Sequence, residues 1–90
     1  MSSISIEGIQ KKLQEEGFKL TLQRQATVEI LLEHLNELLT AEEIYMFVKQ
    51  KYPDIGLATV YRTLEILTDL GIISRNLFDD GIGRYHLKQT

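Results

Sequence analysis

The stretch GLATVYRTLEILTDLG at residues 56–71 is the most informative part of the sequence. Val60, Leu64 and Leu67 recur at helical spacing, so a helix over residues 57–70 would turn them toward a core. Gly71 follows the last apolar residue and supplies the left-handed cap with which helices commonly end. The stretch therefore predicts an amphipathic helix of about four turns.

The opposite face of this helix carries residues that are suited to reading DNA. Ala58 is small, and Thr59 offers a hydroxyl to a phosphate or a methyl group to thymine. Tyr61 can contact thymine methyl groups or bind a phosphate, and Arg62 can bind guanine or neutralise a phosphate. Because the acidic residues of this face come only in the later turns, we expect contact with a major groove through the start of the helix.

Two of these side chains also have a simpler interpretation. A tyrosine on the flank of a helix is usually a half-buried packing residue, which would be an ordinary role for Tyr61. Arg62 lies three residues before Glu65, and an ion pair between them along the helix would involve no ligand. The combination of four DNA-reading residues ahead of a hairpin favours the functional interpretation.

After the helix the sequence pattern changes from helical to β. Residues 72–78 are rich in β-forming side chains, residues 79–83 are a cluster of turn residues, and residues 84–87 are predicted as the return strand. Arg75 and Arg84 would lie on the two strands of this wing, where they are candidate DNA contacts. A helix followed by such a hairpin is typical of a winged helix.

Three further helices are predicted before this stretch. The first covers residues 5–16, and the second covers residues 21–36. The third begins with a capping box of Thr40 and Glu43, in which each side chain bonds to the other residue's backbone amide. The predicted fold is therefore α+β, mostly α: one winged helix-turn-helix domain over residues 1–90, with about four helices and a C-terminal two-stranded β-hairpin wing.

Charge and composition narrow the possible classes of function. The net charge is −3, all of it within residues 1–50, whereas residues 51–90 are neutral. The absence of cysteine excludes disulfides and thiolate metal sites. No apolar run approaches the roughly 18 residues that a membrane helix needs, and the N-terminus lacks the pattern of a signal peptide. No phosphate-binding loop or activated nucleophile is recognisable, so we expect a cytoplasmic protein that is not an enzyme.

Four segments, in the same order, resemble the ferric uptake regulator family. They are Gly17–Arg24, Thr40–Tyr45, Gly56–Leu64 and Gly83–Leu87, so the resemblance covers nearly the whole chain. The family's proteins are homodimeric, metal-responsive bacterial repressors that bind A/T-rich inverted repeats. The resemblance implies that this chain is the DNA-binding domain of such a regulator, acting on metal-uptake genes.

The resemblance also implies roles for individual residues. Tyr61 would contact thymine, and Arg62 would contact a base or a phosphate. Lys19 would reach into the adjacent minor groove, which is narrow and strongly negative in A/T-rich DNA. The family's C-terminal dimerisation and metal-binding domain is absent from these residues, so no cofactor is expected in them. A full-length parent would bind a regulatory divalent metal: iron, zinc, manganese or nickel.

Two positions depart from the family's metal-binding pattern. Leu38 stands where the family usually has a histidine ligand, and His86 stands where it often has a carboxylate ligand. His34 lies one helical turn before Leu38 and is not expected to replace that ligand. Since a transition-metal site needs roughly three converging ligands, we predict none in this chain. His86 is a candidate ligand only in a full-length parent.

The main alternative is a winged helix used for protein interaction or dimerisation without direct DNA readout, which the negative net charge would suit. Four cations discriminate between the two functions: Lys19, Arg62, Arg75 and Arg84. Convergence of their side chains on one surface would favour DNA binding, and scattering would favour protein interaction.

Overall fold

The computed structural model describes residues 5–88. Four helices come first, and two strands follow: α1 (Ile6–Glu15), α2 (Leu22–Glu33), α3 (Ala41–Lys51), α4 (Leu57–Asp69), β1 (Ile73–Leu77) and β2 (Gly83–Leu87). The strands pair antiparallel in one sheet. The predicted winged helix-turn-helix, α+β and mostly α, is confirmed. None of the helices in the described range is both long and apolar enough to cross a membrane.

The first three helices begin at side-chain caps. The hydroxyls of Ser5 and Thr21 each accept a hydrogen bond from the amide three residues later. The predicted capping box of α3 is present: the Thr40 hydroxyl accepts from the Glu43 amide at 3.1 Å, and the Glu43 carboxylate accepts from the Thr40 amide at 2.8 Å. α4 differs from them, because its N-cap, Gly56, provides no side-chain acceptor.

α2 is shorter than the sequence predicted. The apolar pattern indicated an end around Asn36, but Glu33 is the last helical residue and His34 leaves the helical conformation with φ −124° and ψ 45°. The Glu37 amide then donates to the His34 carbonyl at 3.0 Å and closes a turn. The prediction was wrong because the chain must turn here to bring Leu39 alongside the hairpin.

Backbone hydrogen bonds fix the wing to the helices. Leu39, in the α2–α3 connection, exchanges two bonds with Tyr85 of β2, with N···O distances of 3.2 and 2.8 Å. The Lys88 amide donates to the Ile72 carbonyl at 3.1 Å and closes the base of the hairpin. At the other end of the hairpin, Gly81 has a φ of 78°, a conformation that costs residues with a Cβ atom about 1–2 kcal/mol. The wing is therefore a defined part of the domain.

The helices and the hairpin share one hydrophobic core. Its fully buried side chains include Leu13, Ile30, Leu31, Ile44, Val48, Val60, Leu64, Leu67 and Ile73. The three residues of α4 that were predicted to face inward are among them. Burial of each large aliphatic side chain contributes about 1.5–3 kcal/mol, so α4 is held firmly with its opposite face turned outward.

Candidate nucleic-acid interface

The outward face of α4 is open to solvent in its first two turns. Ala58, Tyr61 and Arg62 are exposed, and Thr59 is half-buried. The first turn contains no acidic residue, and Gly56 gives it no side-chain cap. The amides of this turn are therefore available to an anion, which the helix dipole also favours.

A groove separates α4 from the wing and brings several of the predicted residues together. Ala58, Tyr61 and Arg62 line it from α4, and Arg75 and Tyr85 line it from the wing. Across residues 5–88, the ion pairs closer than 4.0 Å involve neither of these two arginines. The groove thus offers two guanidinium groups that form no ion pair with a carboxylate of this range.

The same groove is electrostatically asymmetric. Its far end is lined by Glu65 and Asp69, which come later on the outward face of α4. The ion pair between Arg62 and Glu65 that the spacing allowed is not among those formed in the described chain. Carboxylates at the far end would repel phosphates, so the polarity favours contact through the start of the helix.

A second hollow lies between the start of α2 and α4. Thr21, Gln23 and Arg24 line it from α2, and Thr59 and Arg62 line it from α4. The first turn of α2, like that of α4, contains no acidic residue. Two helix starts and two arginines therefore border the same space, which is a favourable setting for phosphate oxygens.

Arg24 is a functional candidate that was not predicted from the sequence. Its guanidinium donates to the Lys19 carbonyl at 2.8 Å and lies 5.8 Å from the centre of the Phe18 ring. It therefore fixes the backbone of the segment that carries Lys19, whose own side chain is exposed. The sequence pattern that could have indicated this residue is an arginine three residues after the N-cap Thr21, in a first helical turn that contains no acidic residue.

The place of Arg75 in the groove depends on Gly83. The two strands hold Arg75 directly opposite Tyr85, with Gly83 two residues before it on β2. The Arg75 side chain crosses β2 at Gly83, where an added Cβ atom would lie only 2.6 Å from Nε. Any side chain at position 83 would therefore force the guanidinium to shift from this position.

Arg84 does not join the residues of the groove. It lies directly before Tyr85 in β2. Because side chains alternate along a strand, Arg84 lies on the other face of the hairpin from Tyr85. Its guanidinium donates to Asp80 Oδ2 at 3.0 Å and lies 5.0 Å from the centre of the Phe78 ring. The hydrogen bond from Arg84 holds the pKa of Asp80 below its usual value. The four predicted cations therefore converge only in part, and a DNA contact by Arg84 stays a prediction.

The hydroxyl of Tyr61 is hydrogen-bonded within the protein. It donates to Glu42 Oε2 at 2.5 Å, which links α4 to the first turn of α3. This bond raises the pKa of Tyr61 and lowers the pKa of Glu42. Glu42 was not predicted as a site residue, because a contact between residues so far apart in the chain leaves no local sequence pattern.

Neither histidine forms part of a metal centre in the described chain. His34 Nδ1 lies 2.8 Å from Glu37 Oε2, and the His34 ring centre lies 4.4 Å from that of Phe47. His86 is half-buried, and its Nδ1 lies 3.1 Å from the Leu87 carbonyl oxygen. No three His, Cys, Asp or Glu side chains among residues 5–88 are placed to share a metal ion. The donors of this range therefore do not by themselves fit a regulatory metal.

An exposed helix start, a groove that holds two arginines and an anchored wing define a winged helix-turn-helix protein. The chain belongs to the ferric uptake regulator family, whose sequence profile matches residues 15–90.

Individual relatives are similar over most of this chain. It is 51% identical over 84 residues to the ferric uptake regulation protein of Bacillus subtilis (strain 168), covering 93% of this chain and 56% of that protein. It is 33% identical over 91 aligned positions to the peroxide-responsive repressor PerR of Staphylococcus aureus (strain Mu50 / ATCC 700699), covering 92% of this chain and 60% of that protein.

A solved structure agrees with the sequence comparison. The crystal structure of the Vibrio cholerae ferric uptake regulator, a protein with DNA-binding domains, matches with a TM-score of 0.80 and 34% identity. The match covers 90% of this chain and 62% of that one. This chain therefore spans only part of the length of the relatives it resembles.

Proposed function

We propose that this chain binds double-stranded DNA by setting the start of α4 into a major groove, as the DNA-reading part of a metal-responsive transcriptional repressor. The observation that carries the proposal is the groove beside α4, where Arg62 and Arg75 face solvent with no ion-pair partner among residues 5–88. Arginine can neutralise a phosphate or bind guanine, and the small Ala58 lets the helix backbone approach the bases.

The negative net charge does not by itself oppose this function, because several of the carboxylates form contacts away from the outward face of α4. Lys51 pairs with Glu33, and its Nζ lies 4.0 Å from Glu29 on the same side of α2. Glu43 is used by the capping box of α3, and Asp80 is paired with Arg84. The charge that matters for DNA is the local charge of the interface, and in the first two turns of α4 the charged residue is Arg62.

Family membership supports a larger mechanism for a full-length parent. Two copies would place two α4 helices one DNA turn apart on an A/T-rich inverted repeat. A divalent metal (iron, zinc, manganese or nickel) would favour the dimer geometry that matches this spacing, which couples metal binding to repression. The name of the B. subtilis relative refers to ferric uptake, which supports iron and metal-uptake genes first. His86 would be a candidate ligand, the protein would act in the cytoplasm, and its role would be binding and not catalysis.

The test is a titration of the 90-residue chain into a fluorescent A/T-rich inverted-repeat duplex and into a scrambled duplex, at several salt concentrations. We expect weak binding that prefers the repeat and falls with salt, because one domain contacts few phosphates. The double variant Tyr61→Ala, Arg62→Ala should lose this binding while keeping its circular dichroism spectrum. Lys11→Ala is the matched control, since Lys11 lies on the outward face of α1 between the buried Ile9 and Leu13.

The tip of the wing favours a second candidate function, protein interaction. Leu77, Phe78 and Ile82 are exposed there, to 66%, 40% and 45% of their surfaces, beside Asp79 and Asp80. An apolar tip with two carboxylates suits a protein surface better than a phosphate backbone. A folded wild type that binds neither duplex, alone or fused to a dimerisation module, would support this function over DNA binding.

A further inference from the structure

Glu42 is placed differently from its neighbour Glu43. It is the second residue of α3, where the positive end of the helix dipole stabilises a carboxylate. The Glu43 carboxylate is occupied by the Thr40 amide in the capping box. The Glu42 carboxylate is free of the capping box and instead accepts the Tyr61 hydroxyl from α4 at 2.5 Å.

This hydrogen bond restricts what Tyr61 can offer to DNA. A tyrosine beside a duplex can donate its hydroxyl to a phosphate, or it can place its ring against thymine methyl groups. The hydroxyl of Tyr61 is already engaged, whereas 42% of the residue's surface remains exposed. The ring is therefore the part left free, and its direction is fixed at the hydroxyl end by α3.

We propose that Glu42 is a positioning residue for DNA recognition, which holds the Tyr61 ring in the orientation that contacts a thymine methyl group. The inference rests on the proposed function, because it concerns how α4 reads a base. Glu42 acts through Tyr61 and does not touch the base itself. The hydroxyl of Tyr61 accordingly serves the protein and makes no phosphate contact.

The Glu42 carboxylate also carries a negative charge, which DNA phosphates would repel. Glu42, Tyr61 and Arg75 line one hollow between α3, α4 and the wing, so the carboxylate borders the proposed interface. Removing its charge should strengthen binding to every duplex, whereas losing its hydrogen bond should weaken discrimination of thymine. The Glu42→Gln substitution separates the two effects, since the glutamine amide oxygen still accepts a hydrogen bond from the hydroxyl but the side chain carries no charge.

The experiment compares an inverted-repeat duplex that contains thymine with the same duplex containing deoxyuridine, which lacks only the methyl group. Fluorescence anisotropy gives Kd for the wild type, Glu42→Ala, Glu42→Gln, Tyr61→Phe and the double variant Glu42→Ala, Tyr61→Phe. Glu65→Ala is the matched control, because it removes a carboxylate from the groove without touching the bond to Tyr61.

We expect the wild type to prefer thymine by about fourfold, the ratio that corresponds to burying one methyl group. The ratio of Kd for the deoxyuridine duplex to Kd for the thymine duplex should fall toward one in Glu42→Ala and in Tyr61→Phe. The double variant should show no further loss of this preference. Glu42→Gln and Glu65→Ala should keep the preference while binding both duplexes more tightly.

An unchanged thymine preference in Glu42→Ala would overturn the inference. So would a Tyr61→Phe variant that weakens both duplexes equally, which would indicate a hydroxyl contact to phosphate. A wild type that does not distinguish the repeat from the scrambled duplex would instead overturn the proposed function, and the inference with it.

A measurement without DNA tests the positioning alone. In tyrosine-labelled protein, NMR should show the Tyr61 ring signals shifted and its phenol titrating at lower pH in folded Glu42→Ala, because Glu42 raises the pKa of Tyr61. Identical spectra in wild type and Glu42→Ala would also overturn the inference.

Discussion

Replacing Thr27 by valine should stabilise the protein. Thr27 is fully buried in α2, and its hydroxyl has no hydrogen-bond partner in the described part of the chain. A buried hydroxyl left without a partner costs about 1–3 kcal/mol, while valine has nearly the same shape and a similar helix propensity. Taking the lower end of this range, the free energy of unfolding should rise by about 1 kcal/mol. In a domain of this size, that corresponds to an increase in Tm of about 4–8 °C.

Thermal and urea denaturation followed by circular dichroism would measure this change, with Thr63→Val as the matched control. Thr63 is also buried, at 2% exposure, but its hydroxyl donates to the Thr59 carbonyl at 2.9 Å. Valine at position 63 removes a hydrogen bond that is formed, so its Tm should stay the same or fall. Equal gains at both positions would show that added apolar burial, and not the missing partner, is the cause. A lower Tm for Thr27→Val would refute the reasoning outright.

Three further changes test other parts of the structure. Arg75→Ala should reduce the salt slope of DNA binding by about one, whereas Lys11→Ala, on the outward face of α1, should leave it nearly unchanged. Kd measured across a salt series compares the two variants. Thr40→Ala removes the capping hydroxyl of α3 and should cost about 1 kcal/mol in urea denaturation, and an unchanged midpoint would mean that the cap contributes nothing. The pKa of Asp80 in the folded protein is lowered, chiefly by the hydrogen bond from Arg84. The Asp80 carboxylate therefore contributes its stability above its unfolded pKa of 3.8, and this contribution is lost as the pH falls through the folded pKa. Asp80→Asn should remove that acid dependence of Tm, and a pH profile identical to the wild type would contradict it.

Features that depend on neighbouring residues were predictable from the sequence. The capping box of Thr40 and Glu43 and the inward face of α4 follow from spacings of three or four residues, and both are confirmed. Gly71, predicted as the cap after α4, has the left-handed φ of 76° that such a cap requires. The end of α2 was not predictable in this way, because it depends on where Leu39 meets Tyr85 in the folded chain.

In the candidate site, too, features within one helix were predictable and contacts between distant residues were not. The exposed residues of α4 could be identified because they belong to one helix with a known inward face. Arg24 and Glu42 were missed, since one acts on a backbone carbonyl five residues away and the other on a side chain of a different helix. The separation of Arg75 from Arg84 depends on the strand register, which sets Arg75 opposite Tyr85 and could not be fixed without knowing the turn.

The paired backbone bonds between Leu39 and Tyr85 make β2 and α3 parts of one mechanical linkage. Leu39 directly precedes Thr40, so these two hydrogen bonds connect β2 to the first turn of α3. From that turn the connection continues to Tyr61 through the carboxylate of Glu42. The wing strand and one aromatic ring on α4 are thereby joined through the covalent chain and three hydrogen bonds, although they belong to different elements.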